Sequence, residues 1–179
     1  LLLLLLLLLL LAACASPSRA PEAPATASMP GMVSSAHPLA TEAGVEVLRR
    51  GGSAIDAAIA VQAMLGLVEP QSSGLAGGAL VLHYDAASGR VDSYIGRERA
   101  PGGAGPALFD GVDGQPLARG EAMLSGRATG IPAVLPALEL AHAAHGQLPW
   151  ATLFDASIAR AHDGFEIGPR LERHIDGRF

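Results

Sequence analysis

The 179-residue sequence predicts an α+β or layered α/β fold, and three observations carry that prediction. Residues 54–68 are apolar on nearly every helical face, which belongs to a helix buried inside a layered protein. Two apolar segments, 79–84 and 90–95, flank a turn at 85–89 and together read as a β-hairpin. Helical periodicity then returns beyond residue 131. Helix, buried helix, hairpin, helix, helix is not the order of a bundle.

Taken from the start, residues 1–11 are all leucine and lead into Ala12, Ala13 and Cys14. Such a run is too short to span a bilayer and suits the apolar region of an export signal. Its Leu-Ala-Ala-Cys end resembles the lipobox of bacterial lipoproteins, in which the cysteine is lipidated and becomes the N-terminus. The alternatives are an ordinary signal with an incidental cysteine, or a low-complexity artefact. With no Met and no basic segment ahead of it, the start is expected to fall inside the signal. Ala15 after the cysteine, in place of Asp, favours outer-membrane sorting by the same resemblance. The expectation is therefore export to the periplasm, with membrane attachment only through a lipid on Cys14. Residues 15–30 are rich in Pro, Ala and Ser and read as a disordered tether. This divides the chain into an export signal at 1–14, a linker at 15–30 and a folded part at 31–179.

Residues 31–35 are a short strand candidate. Residues 38–50 read as a helix, with Pro38 in the first turn and Arg49-Arg50 ahead of Gly51-Gly52 at the end. Ser53 with Asp56 three residues on is a variant capping box for the apolar helix, which Pro70 ends. A small-residue loop at 71–78 leads into the hairpin. Residues 96–131 read as irregular, with a turn at Asp113-Gly114. Helices at 136–145 and 150–162 follow, each closed by a glycine, and another starts near Pro169.

Composition removes several functions. A net charge of −5, with no basic cluster interleaved with aromatics, gives no footprint for nucleic acid. One cysteine permits neither an internal disulfide nor a cysteine-built zinc site. The glycines at 74–78 lack the Lys-Ser/Thr of a phosphate loop and run from helix to strand, the reverse of a dinucleotide fingerprint. Glu139, His142 and His145 share a helix face, but a di-metal site needs a second such helix. With Leu138, Leu140 and Ala141 as the buried stripe, those three are expected to face solvent. The other histidines (His37, His83, His162, His174) lack ligand spacing, so neither metal nor cofactor is expected. No Gly-x-Ser-x-Gly elbow is present, and no Ser or Thr is tied to a His-Asp pair.

The residue with most chemical promise is Arg97, just past the second strand in YIGRERAP at 94–101. A guanidinium stays charged and grips a carboxylate with two parallel donors, so Arg97 is a candidate for holding a substrate carboxylate. The plainer alternative is a solvated arginine, or one paired with Glu98.

Six segments in order then give a resemblance: GGSAIDAA at 51–58, EPQSSG at 69–74 with Gly77-Gly78, GRERAP at 96–101, SGRATGIP at 125–132, GQLPW at 146–150 and DGF at 163–165. Together they resemble the N-terminal part of the large subunit of the γ-glutamyltranspeptidases, over about residues 31–179. The resemblance implies an α+β N-terminal-nucleophile hydrolase, a four-layer αββα sandwich cut from one precursor into large and small subunits. It implies attack on the γ-glutamyl amide of glutathione or a related compound by the N-terminal threonine of the small subunit, its own amine serving as base. The acyl group then passes to water or to an acceptor amino acid or peptide. It further implies that Arg97 binds the substrate's α-carboxylate. A relative acting on another acyl group, such as a glutaryl-cephalosporin acylase, is the alternative enzyme. A non-catalytic lipoprotein module is the alternative from another class.

Two departures stand out. Ala76 and Ala79 interrupt a glycine run that is usually longer. None of Thr26, Thr41, Thr129 and Thr152 begins the family's Thr-Thr-His segment, so no catalytic nucleophile is assigned and these residues alone are expected to be inactive. A partial sandwich is expected to leave apolar faces and strand edges uncovered.

Overall fold

The computed structural model describes residues 31–177. The expected export signal, Cys14 and the expected tether at 15–30 lie outside them. The first helix, α1 (Pro38–Arg49), opens under a cap from His37, whose Nδ1 accepts the amide of Leu39 at 3.2 Å. It ends at Gly51, where φ is +85°, a conformation that an L side chain opposes.

The second helix, α2 (Ala54–Val68), carries both arms of the capping box: Asp56 N–H donates to Ser53 Oγ at 3.1 Å, and Ser53 N–H to Asp56 Oδ2 at 2.9 Å. Its two polar side chains are both spoken for. Asp56 is fully buried, and Gln62 donates to the Ser73 carbonyl at 2.8 Å, fastening the next turn. Ala40, Ala43, Gly44 and Val47 of α1 bury against this helix. At Gly44 the approach is close: a β-carbon would stand 2.7 Å from a Val61 methyl. Ile59 and Val68 are inaccessible at the centre, each contributing roughly 1.5–3 kcal/mol by burial.

A single turn, α3 (Pro70–Ser73), precedes the antiparallel pair β1 (Ala79–Asp85) and β2 (Arg90–Gly96), in register from Ala79 opposite Gly96 to Asp85 opposite Arg90. Asp85 accepts from Ser88 Oγ and from the Ala87 amide, closing the turn and holding its carboxyl below the usual range. After the hairpin come a short helix α4 (Arg119–Leu124), a 3-10 turn at Gly126–Ala128, and α5 (Val134–His145), which lies on the inner face of both strands and touches α2. A 3-10 turn at Trp150–Leu153, α6 (Asp155–Asp163) and α7 (Pro169–Asp176) complete the described chain. Arg170 on α7 reaches back to the buried Glu69 at 2.8 Å.

The α+β order, the buried helix and the hairpin stand as read from sequence, and the turn at Asp113-Gly114 has Gly114 at φ +72°. Four expectations need correction. Residues 31–35 form no strand; Val33 instead packs sideways on the α1–α2 contact, next to Gly44. The helix expected at 150–162 is a 3-10 turn followed by α6, because Pro149 and the fixed Trp150 side chain set a separate first turn. The stretch 96–131 is not wholly irregular, since α4 and a 3-10 turn lie within it. Leu140 is 64% exposed, whereas His142 and His145, expected in solvent, are largely covered. The covered stripe of α5 is rotated from the expected one because this helix packs on the hairpin on one side and on Asp56 on another.

The outer hairpin face is apolar and open: Leu80, Leu82, Tyr84, Val91 and Ile95 are each at least 62% exposed. A two-stranded ribbon normally needs a further layer on such a face. Uncovered apolar surface is what the partial sandwich was expected to show.

Candidate active site

Five of the six segments that carry the resemblance meet pairwise in space, and the glycines explain how. β2 ends at Gly96, packed under the start of α5, where a β-carbon would stand 2.6 Å from both the Ala133 carbonyl oxygen and the Ala137 methyl. Arg97 follows at once and leaves the sheet. The carbonyl of Gly77 accepts the amides of Ala133 (3.1 Å) and Val134 (3.2 Å), satisfying the first donors of α5. Arg99 accepts the Ile131 amide at 2.8 Å. The loops at 69–78, 96–101 and 125–132 are thereby tied into one cluster around the Arg97 backbone.

Gly96→Ala is expected to push the end of β2 away from α5, at a cost of about 1–3 kcal/mol. The double variant with Ala137→Gly removes one of the two collisions and should recover part of the loss in thermal unfolding. Equal stability of Gly96→Ala and the parent protein would show that this contact yields freely.

Between these loops lies a cleft of about 560 Å³, lined by Ala76, residues 97–101, Leu108, Phe109 and residues 127–130. Three guanidinium groups border it, with different duties. Arg127 donates to the carbonyls of Leu108 (3.2 Å) and Asp110 (2.8 Å), pinning the far wall. Arg99 is fixed through its backbone. Arg97 is 67% exposed and faces Glu98 Oε2 at 3.3 Å, so the plainer arrangement foreseen for it is present. With the guanidinium largely in solvent, a pair of this kind is worth about 1 kcal/mol. Glu98 is the less mobile partner: a β-carbon on Gly78 would collide with its carboxylate, and one on Gly130 would stand 3.1 Å from its Cβ. Glycines 78 and 130 thus give room to Glu98, and Ala76 puts its methyl on the cleft wall. Sequence alone offers Glu98 only as an alternative partner for Arg97, because Gly78 and Gly130 meet it through tertiary packing.

The remaining join is made by Asp56. Its Oδ2 also accepts the amides of Gln147 (2.9 Å) and Leu148 (3.1 Å), so GGSAIDAA and GQLPW are held by one carboxylate. His142 adds to this join, with Nε2 at 2.9 Å from the Leu148 carbonyl and 3.5 Å from Asp56 Oδ1.

The mixed helix–hairpin fold is shared with solved γ-glutamyltranspeptidases, which are N-terminal-nucleophile hydrolases. The enzyme from Pseudomonas nitroreducens superposes with a TM-score of 0.76 at 25% identity, covering 82% of this chain and 43% of that one. The Helicobacter pylori enzyme gives 0.75 at 30% identity, covering 82% and 42%. A family model described as Gamma-glutamyltranspeptidase matches residues 40–178, and the chain belongs to that family. Among curated relatives, the glutathione hydrolase proenzyme of Bacillus subtilis (strain 168) is 41% identical over 145 residues, covering 81% of this chain. The chain spans about a quarter of that relative's length.

Proposed function

We propose that this chain contributes the carboxylate-binding wall and part of the scaffold of an enzyme that moves the γ-glutamyl group of glutathione, or of a related γ-glutamyl amide, to water or an acceptor amine. The observation that carries the reading is the position of Arg97. A permanently charged side chain at the end of β2 borders a cleft built from the segments that mark the family, exposed itself and paired only with the half-buried Glu98 beside it. In this reading the guanidinium takes the substrate's α-carboxylate and so orients the γ-amide. A threonine beginning the small subunit of the same precursor attacks that amide carbon. Its own amine accepts the hydroxyl proton and passes it to the departing amine. Water or an acceptor amine then releases the ester. Arg97 holds the acyl donor still through both steps and transfers no proton.

The test is a substrate panel on the processed two-subunit enzyme: γ-glutamyl-p-nitroanilide, the γ-aminobutyryl analogue that lacks the α-carboxylate, and a glutaryl anilide. Turnover of the first with at least about tenfold preference over the second is expected, since one charge-assisted contact is worth about 1.5–3 kcal/mol. Preference for the glutaryl anilide would replace this reading with that of an acylase. Equal turnover of all three would remove the carboxylate clamp.

A further inference from the structure

The inner face of the hairpin carries a second cluster, away from the Arg97 cleft. His83 on β1 and Asp92 on β2 are direct cross-strand partners, and His145, the last residue of α5, lies over them. The His83 and His145 rings stack with centroids 3.8 Å apart and planes inclined by 23°. His83 Nδ1 and His145 Nε2 are both buried and carry no hydrogen bond. Asp92 Oδ2 stands 3.4 Å from His145 Nε2, while Oδ1 accepts from Arg90 Nη2 at 2.8 Å. One ligand atom from each of the three residues lies within 4.8 Å of the others.

We propose that His83, Asp92 and His145 form a site for a divalent transition-metal ion of the zinc type, clamping the hairpin to the end of α5. Two imidazole nitrogens and one carboxylate oxygen are a donor set that zinc accepts, with water completing a tetrahedron. Two buried, unpaired nitrogens cost about 1–3 kcal/mol each, and a cation between them would satisfy both lone pairs at once. Zinc–ligand bonds of about 2.0–2.1 Å put tetrahedral donors roughly 3.3 Å apart, so the Asp92–His145 pair, at 3.4 Å, already has that spacing and the other pairs must contract by at most about 1.5 Å. A metal lies in the plane of each imidazole it binds, so the two rings must splay out of their stack on binding. Both movements are rotations about the side-chain bonds of His83 and His145, which metal binding requires. Arg90 plays the part of an outer-shell donor: it fixes one oxygen of Asp92 and leaves the other towards His145. Its hydrogen bond also holds the Asp92 carboxyl below the usual range, with smaller help from its charge and from His145 and His83. The positive charge of Arg90 opposes a second cation, but that side chain is 71% exposed and well screened. The clamp would join β2, which delivers Arg97, to the helix whose first turn Gly77 holds.

The test uses the full-length protein with Zn2+ titrated by calorimetry, and with Co2+ as an absorbing substitute. One equivalent of Zn2+ is expected, with intense Co2+ d–d bands of tetrahedral type. His83→Ala and His145→Ala should each weaken binding at least about tenfold, and His162→Ala, an exposed control, should not. Asp92→Asn keeps the shape of the strand pair and should also weaken binding; it serves where a histidine variant fails to fold. No saturable Zn2+ binding would overturn the proposal. So would binding that all three ligand variants leave unchanged.

Discussion

Asp56→Ala is expected to be the most damaging single substitution in the described chain, lowering stability by about 3–5 kcal/mol. The carboxylate is fully buried, and its Oδ2 accepts three backbone amides: Ser53, Gln147 and Leu148. Truncation leaves those three part-buried donors without their acceptor, each at a cost of about 1–3 kcal/mol, partly recovered by local relaxation and water. Of the capping box of α2 it removes the arm from the Ser53 amide, while the amide of residue 56 still donates to Ser53 Oγ. The second consequence is local. Residues 146–150 lose their attachment to α2, and His142 loses the oxygen that stands 3.5 Å from its Nε2. For a domain of this size the expected fall in Tm is about 10 °C. Asp56→Asn separates the parts: it keeps an acceptor but brings an amide with two donors of its own. It should fall between Ala and the parent. Thermal unfolding of the three proteins is the measurement, and a Tm for Asp56→Ala within about 2 °C of the parent would contradict the assignment.

Arg97→Ala carries the largest expected effect on activity. The guanidinium is not part of the core, so little loss of stability is expected. What disappears is a charge-assisted contact to a substrate carboxylate, worth about 2–5 kcal/mol where the partner charge is left desolvated. KM for a γ-glutamyl donor should rise at least about 30-fold, with kcat changed less, as expected of a contact made equally in ground and transition states. Arg97→Lys retains charge but not the two-pronged geometry and should recover only part of the loss. Glu98→Gln is a useful companion. If Glu98 merely shields Arg97, its removal should leave KM unchanged or lower it. Steady-state kinetics on the processed enzyme decides, and an unchanged KM for Arg97→Ala would take Arg97 out of the site.

Both residues were visible in the sequence, but for different reasons and to different depths. Asp56 was legible as the third residue of a capping box, because that interaction is local and its spacing is fixed by helix geometry. Its grip on residues 147 and 148 was not, since nothing local links a helix N-terminus to a loop 91 residues further on. Arg97 was legible as a cation at the end of a strand. The walls of its cleft were not, because they come from loops whose mutual position depends on glycine contacts at Gly78, Gly96 and Gly130.

The sequence by itself determined the helix caps, the hairpin and its turn, the buried character of residues 54–68 and, through an ordered series of short segments, the family. Those properties rest on short-range patterns: periodicity, capping chemistry and turn residues. Only the tertiary structure decided which face of α5 is covered, since that depends on what the helix packs against. It brought His83 and His145, 62 positions apart along the chain, into a stack that no spacing rule foretells. It also showed that the inner hairpin face carries the polar pair His83 and Asp92 while the outer face is apolar and open. Alternation along a strand fixes two faces without saying which of them meets the next layer.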